Sequence, residues 1–354
     1  MTSTRKKMFL KTWEICFKFH HLVGLLLVTL TAVALYLNHD FSYWNVVKKQ
    51  VIAAEKEEQT SGDDSTANCD FFSGQWVYDN ISYPLYKEEQ CSFMDDIFAC
   101  ERNGRRDLKY RHWRWQPHQC DIPRFNGKAF LEKIRGKKVL FVGDSLNRNQ
   151  WSSLLCLIES SLPPSSNKSL TLTGNCNFFQ NKEYNTTIGF YWWGSFESPD
   201  AIYKTVEMKL HRYEMALNTW SDWLEMNINR TKTKLFFMSP SPYILRGDAL
   251  RQCYNRSAPI SEEDFVSSNH SMMGVLESAI EKLGTRGIKV EYLRITRMSE
   301  YRSDAHPSIY RSFYAPLTEE NIKDPTTYSD CLHWCLPGVP DIWNQILYDY
   351  IMKS

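Results

Sequence analysis

Two short stretches of this 354-residue chain carry residue types that could act on an acyl group. The first is Gly143-Asp144-Ser145, which follows the apolar run Lys138-Val139-Leu140-Phe141-Val142. That run reads as a buried strand, and in open parallel sheets ligands bind beyond the carboxyl ends of the strands. A serine at that point also gains from the next helix, whose first amides can receive developing negative charge. Gly143 gives the tight turn that lifts the hydroxyl out of the backbone. Alone, the three residues read more simply as a helix cap, since Asp and Ser are good N-caps.

The second stretch is Asp330-Cys331-Leu332-His333-Trp334-Cys335-Leu336-Pro337-Gly338. A serine nucleophile needs a base, and the base needs an acceptor that fixes its tautomer. Asp330 and His333 can supply both from one segment. Cys331 and Cys335, if disulfide-bonded, would staple it. A zinc reading of Cys331, His333 and Cys335 lacks a fourth ligand and the spacing of a common zinc module. Together the two stretches give the order Ser, Asp, His with the last two three residues apart. This is the arrangement of SGNH-type hydrolases and acyltransferases.

The elements around them alternate. A helix is predicted from Ser145 to about Ser160. Val206, Leu210, Tyr213, Leu217, Trp220 and Leu224 recur at helical spacing, and Leu235-Phe236-Phe237-Met238 reads as a strand. Leu276, Ala279, Ile280 and Leu283 mark a helix ending at Gly284, Val290 to Thr296 a strand, and Pro340 opens a last helix. This predicts an α/β fold, a parallel sheet with helices on both faces, over residues 136–354. Residues 69–135 are rich in cysteine and aromatics without helical period, and read as a disulfide-stapled subdomain of loops and small strands.

Before it, Leu22 to Leu37 carries no charge and follows Arg5, Lys6, Lys7, Lys11 and Lys18. Sixteen helical residues span roughly 24 Å, close to the roughly 27 Å core of a thin secretory bilayer. The expected layout is a cytosolic tail (1–21), a transmembrane helix (22–37), a stem (38–68) and a lumenal body. Six N-x-S/T sequons, at Asn80, Asn167, Asn185, Asn229, Asn255 and Asn269, lie beyond the apolar run, as do nine of the ten cysteines. An odd number should leave one unpaired or in an intermolecular bond. A net charge of +1 gives no field that points to nucleic acid. No nucleotide or metal motif is present, so no tightly held cofactor is expected.

The flanking residues resemble a known family. Cys69-Asp70-Phe71-Phe72-Ser73-Gly74-Gln75-Trp76-Val77, Tyr83-Pro84-Leu85-Tyr86, Trp113-Arg114-Trp115 and Phe141 through Trp151 are similar to the trichome-birefringence-like proteins of plants. So are Ser299-Glu300-Tyr301-Arg302 and Asp330 through Asn344, and Tyr301 through Ser308 look nearest to the xylan-acetylating members. The resemblance implies a Golgi type II membrane protein that transfers acetyl groups from an acetyl donor to a wall polysaccharide such as xylan. It makes Ser145 the acetyl-accepting nucleophile, His333 the base and Asp330 its orienting carboxylate, with the Ser145 amide, Asn147 and Arg148 near the oxyanion. It further implies disulfides Cys69–Cys120 and Cys91–Cys156. Two rivals share the site: an esterase in which water is the acceptor, and a polysaccharide-binding protein without turnover.

One departure bears on activity. Where the family pattern has a long stretch ending in a strand and a Trp pair, Phe190-Tyr191-Trp192-Trp193 joins its start directly to its end. The absent stretch would supply a sheet strand and a polar residue of the oxyanion site. Its loss predicts apolar surface left open in the sheet and puts turnover by this chain in question.

Overall fold

The computed structural model describes residues 69–192, 206–242, 253–265, 271–312 and 318–354. The predicted cytosolic tail, transmembrane helix and stem (1–68) lie outside the described residues. Among these, no helix is long and apolar enough to cross a membrane.

The Cys- and aromatic-rich subdomain is built on an antiparallel ribbon of β1 (Gly74–Tyr78) and β2 (Trp113–Pro117), in which Trp76 lies opposite Trp115. Their rings meet edge-on at 5.6 Å, a cross-strand aromatic pair of the kind that stabilises two-stranded ribbons. Phe71, Tyr110 and Trp115 belong to the same buried cluster as Trp334 and Trp343, so the subdomain shares its core with the C-terminal segment.

The body runs α1 (Gly127–Lys133), β3 (Lys138–Gly143), α2 (Ser145–Ser160), β4 (Lys168–Thr173), β5 (Cys176–Asn181) and β6 (Thr186–Trp192). It continues with α3 (Val206–Asn227), β7 (Leu235–Met238), α4 (Ser271–Thr285), β8 (Val290–Leu293) and α5 (Val339–Met352). Within α2, the residues from Asn149 to Ile158 are buried all round, because α5 packs against it on one side and β3 and β6 on the other. The face predicted for α3 is the one it uses: Leu217 and Leu224 bury against Leu276, Ala279 and Leu283 of α4, over the β7–β8 pair.

The expected parallel sheet needs correction. β3 pairs parallel with β6 and β7 with β8, but β4, β5 and β6 form an antiparallel meander, so the four-stranded sheet β3-β6-β5-β4 is mixed. β4 and β5 are joined by the two-residue turn Gly174-Asn175, with Gly174 at φ 54°, and so short a connection can only join antiparallel neighbours. The expectation of helices on both faces fails at β3. Leu140 and Val142, on one face of that strand, are 53% and 43% exposed, whereas Phe141 on the other is buried. Strands of parallel sheets are ordinarily covered on both faces. The bare face of β3 agrees in direction with the apolar surface expected open in the sheet.

Asp341 ties three parts together. At the start of α5 its Oδ2 accepts from the Gly338 amide (2.7 Å), and its Oδ1 from the Ser153 hydroxyl of α2 (2.6 Å) and the Tyr86 hydroxyl of the subdomain (3.0 Å). Burial pushes its carboxyl from 3.8 up to about 7, against the pull of those three bonds. The folded state therefore keeps a proton that the unfolded chain releases near pH 4. The stability this contributes is complete below that pH and lost as the pH rises to about 7.

Two outcomes are expected. In urea denaturation Phe141→Ala should cost about 3–5 kcal/mol. Leu140→Thr and Val142→Thr should stay within about 0.5 kcal/mol, and equal costs on the two faces would show that β3 is covered after all. Between about pH 4 and 7 the thermal midpoint should fall, and Asp341→Asn, though less stable throughout, should flatten that fall.

Candidate active site

Ser145 is the first residue of α2 and is half-buried. Asp144 caps the helix, its carboxylate accepting from the Leu146 amide at 2.9 Å, so its side chain is occupied in shaping the turn. The Asn147 carboxamide folds back over Gly143 so closely that any Cβ there would overlap its oxygen. A larger residue at 143 would have to displace that side chain, and the contact directs Asn147 at the turn itself. Arg148 forms an ion pair with Asp95 of the subdomain, and both side chains keep some exposure. The first-turn amides of Ser145 and Asn147 have no acceptor within the helix, as at any helix start.

On the other segment, Asp330 Oδ2 meets His333 Nδ1 at 2.8 Å, while Oδ1 accepts from the Leu332 and His333 amides at 3.0 Å each. Burial alone would raise this carboxyl, but the bonds from His333 and the two amides outweigh it and hold it at about 2. A carboxylate only accepts, so the imidazole carries its proton on Nδ1 and turns Nε2 free as a base. His333 Nε2 is buried with no hydrogen-bond partner, and the Phe98 ring lies 5.8 Å from the imidazole. The Ser145 hydroxyl is thus not bonded to Nε2 in this state; catalytic hydrogen bonds are often loose until substrate binds.

Asn149, four residues beyond Ser145 and so on the same helix face, joins the two halves. Its Oδ1 accepts from the Trp334 amide (2.7 Å) and its Nδ2 donates to the Trp334 carbonyl (3.2 Å). The turn bearing Ser145 and the Asp330–His333 segment are therefore registered against each other. Sequence reasoning gave Asn149 no role, although its spacing from Ser145 was a usable signal.

The cysteines hold the same segment from outside. Cys100 bonds Cys335 and Cys253 bonds Cys331, beside Cys69–Cys120 and Cys91–Cys156. Cys331 and Cys335 are thus both disulfide-bonded, each stapling the segment to a distant partner, and neither sulfur is available to a metal. Among the described residues no cysteine is free, Cys176 being disulfide-bonded as well, so none is unpaired as one branch of the expectation had it. Asp95, Phe98 and Cys100 all come from one loop of the subdomain, which is how that subdomain reaches the site.

Comparison with known proteins places this geometry. A family model described as PC-Esterase, the GDSL/SGNH-like acyl-esterase family found in Pmr5 and Cas1p, matches residues 122–196 and 193–350. A second, the PMR5 N-terminal domain, matches residues 67–121. Protein trichome birefringence-like 34 of Arabidopsis thaliana is 42% identical over 355 residues, covering 82% of this chain and 86% of its own. Xylan O-acetyltransferase 14 of Oryza sativa subsp. japonica is 37% identical over 379 residues, with 83% and 79% covered. Xylan O-acetyltransferase 13 of the same species is 40% identical over 361, with 83% and 71% covered. The first family model matches in two pieces that overlap at 193–196. With a capped Gly-Asp-Ser turn, a carboxylate-held histidine and matches along nearly the whole described body, the chain belongs to the trichome-birefringence-like family of O-acetyltransferases.

Proposed function

We propose that this protein transfers acetyl groups to hydroxyls of a plant cell-wall polysaccharide, xylan first among them, through an acetyl-Ser145 intermediate. The observation that carries this is the Asp330 carboxylate bound to His333 Nδ1 with Nε2 left bare. In the first half, Nε2 takes the Ser145 proton as the hydroxyl oxygen attacks the acetyl carbonyl. Nε2 then returns that proton to the leaving group of the donor. In the second, Nε2 takes the proton of a sugar hydroxyl, whose oxygen attacks the acetyl-serine carbonyl, and the Ser145 oxygen leaves with that proton. The oxyanion of each step would rest on the Ser145 amide and neighbouring first-turn amides, with the Arg148 charge held nearby by Asp95. Asn147, folded over Gly143, supports the turn rather than the oxyanion. The acetyl donor is a co-substrate and no bound cofactor is invoked.

The setting proposed with it is a single-pass anchor at residues 22–37 in a Golgi membrane, with the body in the lumen. Four disulfides among the described residues support an oxidising compartment. Asn80, Asn167, Asn185, Asn229 and Asn255 are all exposed, as glycan acceptors must be. The uncovered face of β3 favours a second reading, a family member that binds polysaccharide with impaired turnover.

Mass spectrometry of xylan oligomers incubated with the full chain and an acetyl donor separates them. Acetyl transfer should give mass increments of one acetyl group, lost in Ser145→Ala and His333→Ala, with Asp330→Asn slower by about 10⁴-fold. Oligomer binding without any increment, unchanged in Ser145→Ala, would select the binding-only reading. Release of acetate from acetylated xylan without transfer would select an esterase.

A further inference from the structure

His306 lies outside the serine, histidine and aspartate just described, yet its side chain reaches the base. Its Nδ1 is 2.7 Å from the His333 carbonyl oxygen, and its ring stacks on Trp334 at 4.0 Å and 28°. A carbonyl only accepts, so Nδ1 carries the proton and donates it. Both peptide groups of His333 are then held: its amide by Asp330, its carbonyl by His306, and the next amide by Asn149.

The loop that carries His306 is itself fixed. The Cys335 amide donates to the Ala305 carbonyl at 2.9 Å, and Ser308 and Asp330 exchange two backbone hydrogen bonds of 2.9 Å. Arg105 of the subdomain donates to the Asp304 carbonyl (2.7 Å) and to that of His306 (2.9 Å). Arg302 and Asp304 form a buried bidentate pair in the same loop, with Arg302 over the Trp76 ring. The segment 304–308 is thus a rigid template laid along the residues 330–335.

We propose that His306 is a positioning residue for His333, its Nδ1–H bond to the His333 carbonyl setting the orientation in which the imidazole meets Asp330. This rests on the reading of His333 as the base. Desolvation drives the His306 imidazole down to about 4, partly offset by its bond to the His333 carbonyl. It therefore stays neutral near pH 7 and keeps donating to the His333 carbonyl.

The test compares His306→Phe, which keeps a ring on Trp334 but has no donor, with His306→Asn, whose amide can donate from near the Nδ1 position. The readout is the low-field proton signal of the His333 Nδ1–H···Asp330 bond, in one-dimensional NMR of the full chain in detergent. Its loss in Asp330→Asn assigns it. The expected result is a signal lost or broadened in His306→Phe and kept in His306→Asn. Where turnover is measurable, His306→Phe should lower kcat by about 10²-fold at unchanged KM, with Asn restoring most of it. A full-strength, unshifted signal in His306→Phe would overturn the proposal. If that variant does not fold, His306→Leu, smaller and equally without a donor, decides in its place. Absence of any Asp330-dependent signal in the parent would instead sink the reading of Asp330 and His333 themselves.

Discussion

The site depends on one buried carboxamide. Asn149 is fully enclosed within α2, and it both donates to and accepts from the Trp334 peptide. An amide without that partner would leave two polar atoms unpaired in an apolar core, at a cost of about 1–3 kcal/mol each. The two chain segments are therefore locked in a single register. One carries the nucleophile at a helix start; the other carries the base, and 185 residues separate the bonded pair in sequence. Whatever fixes α2 and whatever fixes residues 330–335 converge on this pair of hydrogen bonds.

The surroundings serve that register. α5 packs on α2, and Asn344 donates to the Gln150 carbonyl and the Ser153 hydroxyl, both at 2.9 Å. From the opposite direction the N-terminal subdomain grips the base segment with the Cys100–Cys335 bridge, Arg105 and the Trp76–Arg302 stack. Closing a loop of that sequence separation constrains the unfolded chain strongly, and the buried guanidinium groups are each satisfied by main-chain carbonyls or a carboxylate. The subdomain is thus a structural wall of the site rather than an appendage.

The uncovered face of β3 stands apart from this machinery. Leu140 and Val142 face solvent on the strand that ends at Gly143, while Phe141 and the whole α2 side remain packed. With that face bare, the hydrogen bonds among Asn149, Trp334, Asp330 and His333 are still in place. A bare sheet face and an intact Asp330–His333 pair coexist in this fold.

Much of this was legible in the sequence. The strand before Gly143, the helix from Ser145, the amphipathic face of α3 and the final helix follow from local periodicity and capping, which depend only on neighbouring residues. Asp330 and His333 find each other because three residues of chain suffice to bring a carboxylate to an imidazole. The antiparallel hairpin β4–β5 was missed despite its Gly174-Asn175 turn, since short polar strands carry little hydrophobic pattern. What only the tertiary structure decided is which distant groups meet. Cys331 and Cys335 pair with Cys253 and Cys100 rather than each other, Arg148 pairs with Asp95, and His306 reaches the His333 carbonyl. Those choices are set by the packing of elements tens to hundreds of residues apart, and no local spacing encodes them. The sequence alone determined the chemistry available to this protein, and the packed core determined the orientation in which it is held.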